Sequence, residues 1–249
     1  KKYGIFTAID MVVGIVIGSG VFFKAEKILV ATGGDLPLGI LGWIIGGVIM
    51  VSCAYTFAIM ARRYEYVNGV VDYAEATLGK NYAYYVGWFM ALIYYPTLTS
   101  VLAWVSARFI GVLLGWDIVG PQTMVLAGFF LVASYALNAL SPVLAGKFQV
   151  TATVIKLIPL MLMAVIGTIV GLTNGMTVTN FTTVVENVDP LQGLFTAVVA
   201  TAFAYEGWII ATSINAELRE SKKNLPKALV LGSFIVIAVY ILYYIGLAG

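Results

Sequence analysis

The apolar positions of this chain gather in seven long runs, not in the alternation of half-buried strands or the one-sided stripe of a surface helix. The runs cover about 5–30, 37–61, 82–114, 121–140, 148–172, 193–216 and 226–248. Each exceeds the ~18 residues a helix needs to cross a hydrocarbon core, so the pattern predicts a helical membrane protein with seven spans. Small and polar residues interrupt the first and sixth runs. Between the second and third, Asn68-Gly69 and Gly79-Lys80 bracket a short, partly polar stretch that predicts a loop carrying a surface helix. Pro121 and Pro226 are expected to open the fourth and seventh spans, where a first-turn proline loses no needed hydrogen bond.

Composition sharpens this picture. Of the 249 residues, 61% are hydrophobic and only 10% charged, with a mean hydropathy of +0.97. A water-facing domain carries roughly 25% charged residues, so most of this surface must meet something apolar. The net charge of +2 gives no signal for nucleic acid. Cys53 is the single cysteine and histidine is absent, which removes a disulfide framework, a Cys/His metal cluster and Ser-His-Asp hydrolysis. No cluster of catalytic polar residues argues for an intramembrane enzyme, and no metal or cofactor is expected. No phosphate-loop motif is present, so energy would come from gradients or a partner protein. The chain starts at Lys1-Lys2 without methionine or a cleavable signal and reads as an excerpt of a longer one.

Basic residues orient the spans. With the N-terminus inside, the inner segments hold Lys1, Lys2, Arg62, Arg63, Lys80, Lys147, Arg219, Lys222, Lys223 and Lys227, and the outer segments hold Lys24, Lys27 and Arg108. That is ten against three, with Lys156 inside a span making up all 14. The outer segments also carry Glu26, Asp35, Asp117, Glu186 and Asp189. The bias predicts a cytoplasmic N-terminus in a multi-pass protein of the plasma (inner) membrane.

The interruptions carry the chemistry. In the first run, Gly14-Ile15-Val16-Ile17-Gly18-Ser19-Gly20-Val21-Phe22 weakens helix at mid-membrane. The alternative is close helix packing through Gly14 and Gly18, a role that suits Gly39, Gly42, Gly46 and Gly47 of the second run. In the sixth run, Thr201-Ala202-Phe203-Ala204-Tyr205-Glu206-Gly207-Trp208 sets a carboxylate beside a glycine. A mid-membrane acid costs at least ~2.5 kcal/mol, so such residues face a bundle interior or a pathway; a structural pairing to a neighbouring helix is the other reading. Paired interrupted helices mark transporter binding sites. A broken helix exposes N–H donors at the positive start of its second half and free carbonyls at the end of its first half, a combination that suits a zwitterionic amino acid.

At these residues the chain resembles the amino acid–polyamine–organocation superfamily, and within it the L-type amino acid transporter family. Gly18-Ser19-Gly20-Val21-Phe22 matches its glycine-serine-glycine signature, and Phe203-Ala204-Tyr205-Glu206-Gly207-Trp208 matches its sixth-helix pattern. Glu217 and Asn224-Leu225-Pro226-Lys227-Ala228 resemble its entry into helix seven. The resemblance implies an all-α membrane protein of the inverted-repeat (5+5) transporter fold, with helices one and six broken and about seven of twelve spans present. Residues 1–172 would be the first five-helix repeat and 173–249 the first two helices of the second, the chain being truncated after helix seven.

The same resemblance implies residue roles. The backbone around Ser19, Gly20 and Val21 would hold the substrate carboxylate, with Gly18 also at the site, and the carbonyls of Ile17, Phe203, Ala204 and Glu206 would hold its ammonium. Phe203 would gate the site from outside. Ile93 and Tyr94, before Pro96, would line the side-chain pocket, with Trp208 also at the site. Lys156 would stand where sodium-coupled relatives bind their ion and bridge to the first helix. The implied activity is sodium-independent exchange of neutral, and secondarily cationic, L-amino acids. A proton-coupled symporter using Glu206 or Asp10 is the alternative, and a non-transporting sensor or subunit a remote one. Asp10, near the start of the first run, also has a structural reading in which the helix dipole tolerates it. The partners implied are the amino acid and the bilayer; a partner subunit is left open. Arg63-Tyr64-Glu65-Tyr66-Val67-Asn68-Gly69-Val70-Val71 departs from the family's Pro-x-x-Gly-Gly-x-Tyr. Asn180-Phe181-Thr182 reads as a chance glycosylation triplet. Tyr82, Tyr84, Tyr85, Trp88, Tyr240, Tyr243 and Tyr244 read as interface belt or packing.

Overall fold

A computed structural model of the protein describes residues 3–64, 68–183 and 189–248, and its regular elements there are all helical. Lys1, Lys2, the Glu65-Tyr66-Val67 part of the family departure, and Glu186 lie outside the described residues. In chain order the helices are α1 (Ile5–Val16), α2 (Gly20–Ala31), α3 (Leu36–Arg63), α4 (Val70–Leu78), α5 (Lys80–Phe89), α6 (Tyr95–Leu113), α7 (Pro121–Leu140), α8 (Pro142–Leu162), α9 (Thr168–Thr173), α10 (Met176–Thr182), α11 (Pro190–Ala204) and α12 (Ser221–Leu247). Single π turns at Met90–Tyr94 and Met163–Gly167 join α5 to α6 and α8 to α9, and a 3₁₀ run occupies Trp208–Glu217. Among the described residues, six helices are long and apolar enough to cross a membrane, or seven when α1 and α2, bent by 49° at their break, count as one span. The chain is an all-α, multi-pass membrane protein.

The helix ends follow local chemistry. Asp35 caps α3 by accepting the Leu38 N–H at 2.8 Å, and Asp189 caps α11 by accepting the Leu191 N–H at 2.9 Å; each cap is followed by a first-turn proline. Arg62 and Arg63 occupy the last turn of α3, where a helix end favours cations. Pro121 opens α7 as its position predicts. Pro226 does not open the seventh span: α12 begins one turn earlier, at Ser221, and contains it. The first turn, Ser221-Lys222-Lys223-Asn224, is polar, so the apolar run gave no sign of it. Pro226 there forfeits only the bond its N–H would have made to the Lys222 carbonyl.

The chain divides into two compact units, Lys1–Val70 with Thr153–Gly249, and Val71–Ala152. In the first, α3 presents Gly39, Gly42, Gly46 and Gly47 to α11 and α12. A Cβ on Gly42 would lie 2.8 Å from the Ala197 methyl and one on Gly47 2.6 Å from Ile237, while one on Gly39 would overlap the Tyr244 hydroxyl. Such small-residue faces let membrane helices approach where no hydrophobic drive separates protein from lipid. The aromatic core beside them holds Trp43, Tyr205, Tyr240 and Tyr244, all buried, with Trp43 5.2 Å from Tyr240 and 5.7 Å from Tyr205 between ring centroids. Tyr240, Tyr243 and Tyr244 are therefore packing residues and not an interface belt. The second unit is a layer of helices in which α6 and α7 form a hairpin. Trp104 donates to the Ile118 carbonyl and Thr123 to the Asp117 carbonyl, closing the turn at Gly115. Its large apolar side chains, among them Phe109, Val125, Phe129, Val132 and Tyr135, are exposed, as a lipid-facing surface requires. Tyr82, Tyr84, Tyr85 and Trp88 are exposed there as well.

Candidate functional site

The two interruptions meet inside the first unit. After Val16 the chain leaves the helix: Ile17 is extended (φ −72°, ψ 93°) and α2 restarts at Gly20. After Ala204, Tyr205-Glu206-Gly207 forms a turn in which Gly207 has φ +109°, a conformation that only glycine adopts readily. Each break abuts the other. A Cβ on Gly20 would lie 3.1 Å from the Ala204 Cα and 3.4 Å from the Phe203 carbonyl, and a Cβ on Gly207 would lie 2.9 Å from an Ile15 methyl. Gly20 allows backbone to touch backbone across the junction, and Gly207 supplies a positive φ where a side chain would also crowd Ile15.

Hydrogen-bond accounting defines what this junction offers. Among the described residues, the N–H groups of Gly18, Ser19, Gly20 and Val21 meet no acceptor. These are the orphan donors at the start of α2, where the helix dipole is positive. The α1 carbonyls are mostly claimed: Val13 accepts from Ile17 N–H, Gly14 from the Lys156 ammonium, and Val16 from the Tyr240 hydroxyl at 2.9 Å. Among the described residues, Ile17 has no donor on its carbonyl. Across the junction, the Phe203 carbonyl accepts from Glu206 N–H at 3.3 Å and that of Ala204 from Tyr240 at 2.9 Å, each keeping one lone pair. The junction thus sets a row of donors beside a group of acceptors, which is the complement of a carboxylate and an ammonium on one carbon.

The remaining side chains singled out in the sequence take distinct places. Lys156 on α8 is half-buried and its Nζ contacts the Gly14 carbonyl, tying the fifth span to α1. Glu206 is half-buried in the turn. Phe203 faces α2, its ring 5.5 Å from Phe23. Trp208 packs edge-on against Phe57 of α3 at 5.2 Å. Asp10 is exposed. Ile93 and Tyr94 belong to the other unit, in the Met90–Tyr94 π turn, where Ile93 is exposed and Tyr94 packs on Tyr95. Asn180 uses its side-chain amide to bond the Ala248 carbonyl at 2.7 Å. Among the described residues no group of three or more Cys, Asp or Glu gathers as a metal site.

Sequence reasoning missed Tyr240. Its hydroxyl lies 2.9 Å from both the Val16 and Ala204 carbonyls, so one fully buried group on α12 ties the two breaks together. Tyr205, beside it, turns away from the junction and donates to the Trp43 carbonyl at 3.0 Å. Nothing in the local sequence marks either one, since both roles depend on contacts made across distant helices.

Comparison with known proteins places the chain in a family. The model of a family described as amino acid permease matches residues 3–249. The serine/threonine exchanger SteT of Bacillus subtilis (strain 168) is 30% identical over 242 residues, covering 97% of this chain and 53% of that protein. The human b(0,+)-type amino acid transporter 1 is 28% identical over 245 residues, covering 97% of this chain and 50% of its own length. The rat large neutral amino acids transporter small subunit 2 is 27% identical, with 97% and 46% covered. The chain spans about half the length of the curated relatives it matches.

Proposed function

The chain belongs to the amino acid permease family, a family of transporters rather than enzymes, and we propose that the protein it forms part of is a sodium-independent exchanger of neutral L-amino acids. The observation that carries this reading is the row of unpaired N–H donors from Gly18 to Val21, set against the carbonyls of Ile17, Phe203 and Ala204. Donors at a helix start bind an anion without any charged side chain. The substrate carboxylate takes Gly18, Ser19, Gly20 and Val21. The ammonium takes the carbonyls of Ile17, Phe203, Ala204 and Glu206. Phe203 closes the site from outside, and Trp208 lines it beside the break.

Lys156 supports sodium independence, because its ammonium already supplies a cation to the Gly14 carbonyl at the end of α1. Similarity to the Bacillus relative, a serine/threonine exchanger, supports exchange. The repeat assignment is part of the same proposal: residues 1–172 are the first five-helix repeat and 173–249 open the second. The basic-residue bias supports a cytoplasmic N-terminus in the plasma (inner) membrane.

The test is radiolabelled uptake by the full-length protein in proteoliposomes without sodium, preloaded with amino acid or empty. Uptake confined to preloaded vesicles is the expected result. Uptake into empty vesicles driven by an acidic exterior transfers the case to proton symport, and a requirement for sodium removes the assigned role of Lys156.

A further inference from the structure

We infer that Lys24 is a charge filter at the outer gate, selecting neutral amino acids over cationic ones. The inference rests on the reading of Phe203 as the gate and deepens it by naming the substrate class. Lys24 lies in the second turn of α2, just outside the break. Its ammonium sits 5.0 Å from the centroid of the Phe203 ring and 5.4 Å from that of Phe23, and these two rings are themselves 5.5 Å apart. The side chain is half-buried, and among the described residues no carboxylate pairs with it. A half-buried cation without a carboxylate is held here by the negative faces of two aromatic rings. Lys27, exposed and three residues on, shares the Lys24 face of the helix, whereas Glu26 is set about 200° round from Lys24. The surface that α2 turns toward the gate is therefore positive.

This placement has two consequences for a substrate crossing Phe203. The carboxylate of any amino acid is drawn toward the donors beyond the gate. A cationic side chain, in contrast, must pass the ammonium that sits 5.0 Å from the centroid of the gate ring. Across about 8–10 Å at an effective dielectric of about 20, repulsion amounts to roughly a fifteenfold to thirtyfold handicap. Glu206 follows Phe203 by three residues in the inward-running chain, so on this reading it attracts a cationic side chain only after it has passed Lys24. The two residues thus act in sequence, and the outer one sets which substrates enter.

The experiment compares uptake of arginine and of alanine by the full-length protein in proteoliposomes, for the wild type, Lys24→Met and Lys24→Arg. Methionine keeps the length and the apolar contact with both rings while removing the charge; arginine keeps the charge. The arginine-to-alanine uptake ratio, measured within each preparation, is independent of how much protein folds. The expected result is a low ratio for the wild type, a ratio about tenfold higher for Lys24→Met, and the wild-type ratio for Lys24→Arg. Lys24→Met with unchanged ratio and measurable alanine uptake overturns the filter and leaves the transport reading standing. So does a Lys24→Arg ratio that rises as far as that of Lys24→Met, since shape and not charge would then decide. Failure of the folded wild type to take up either amino acid overturns the transport reading, and the filter with it.

Discussion

Replacing Tyr240 by phenylalanine removes one oxygen from the point where both broken helices are tied. The ring keeps its packing, 5.2 Å from Trp43 and 5.2 Å from Tyr205, so the aromatic core stays filled. The Val16 and Ala204 carbonyls, each 2.9 Å from the hydroxyl, lose the proton they share. A buried acceptor stripped of its donor costs about 1–3 kcal/mol, although hydrogen bonds between membrane helices average nearer ~0.6 kcal/mol. A middle value of about 1.4 kcal/mol corresponds to tenfold in affinity. That cost falls on the binding-competent junction more than on the folded state, because Tyr240 joins segments whose register defines the donor and acceptor set. We therefore expect full-length Tyr240→Phe to bind a neutral amino acid about tenfold more weakly in an equilibrium titration, with a thermal midpoint close to that of the wild type. Affinity within twofold of the wild type would refute the reasoning. A collapse of the midpoint with affinity preserved would instead make Tyr240 a stability residue only.

Other substitutions probe separate parts of the account. Lys156→Met removes a charge-assisted contact of about 1.5–3 kcal/mol from the Gly14 carbonyl and should cut uptake at least tenfold; a wild-type rate by radiolabelled uptake would show the contact to be idle. Gly207→Ala must hold an L side chain at φ +109° against Ile15, a strain of about 1–3 kcal/mol, so the variant should melt at lower temperature and lose binding. Glu206→Gln should lower arginine competition relative to alanine competition; an unchanged ratio would remove any cationic substrate role from Glu206.

The legible part of the fold was what backbone chemistry writes locally. Gly18-Ser19-Gly20 and Glu206-Gly207 announce their breaks because those residues are costly in a mid-membrane helix unless something uses the opening. The glycine face of α3 was legible for the same reason, and Gly39, Gly42, Gly46 and Gly47 do meet α11 and α12. The seven apolar runs gave the spans but not their internal irregularities. The π turns at Met90–Tyr94 and Met163–Gly167 and the 3₁₀ course of Trp208–Glu217 have no compositional mark, since an apolar helix of any winding presents the same residues to lipid. The early start of α12 was hidden by its polar first turn. In sequence Tyr240 is indistinguishable from Tyr243 and Tyr244 beside it. Its bonds to Val16 and Ala204 span sequence separations of 224 and 36 residues, and no local pattern encodes such a contact. The cation over the Phe203 ring was hidden likewise, because Lys24 in sequence is one of three outer-side basic residues.

The central claim is that the junction of the two breaks recognises the α-carboxylate and α-ammonium by backbone alone. Binding of L-alanine, L-alanine methyl ester and propionate to the full-length protein tests it most directly, since the ester removes the anion and propionate removes the cation. The account predicts that alanine binds and that each analogue binds at least a hundredfold more weakly, a difference of about 2.7 kcal/mol. Equal binding of alanine and its methyl ester would contradict the assignment of the Gly18–Val21 donors to the carboxylate.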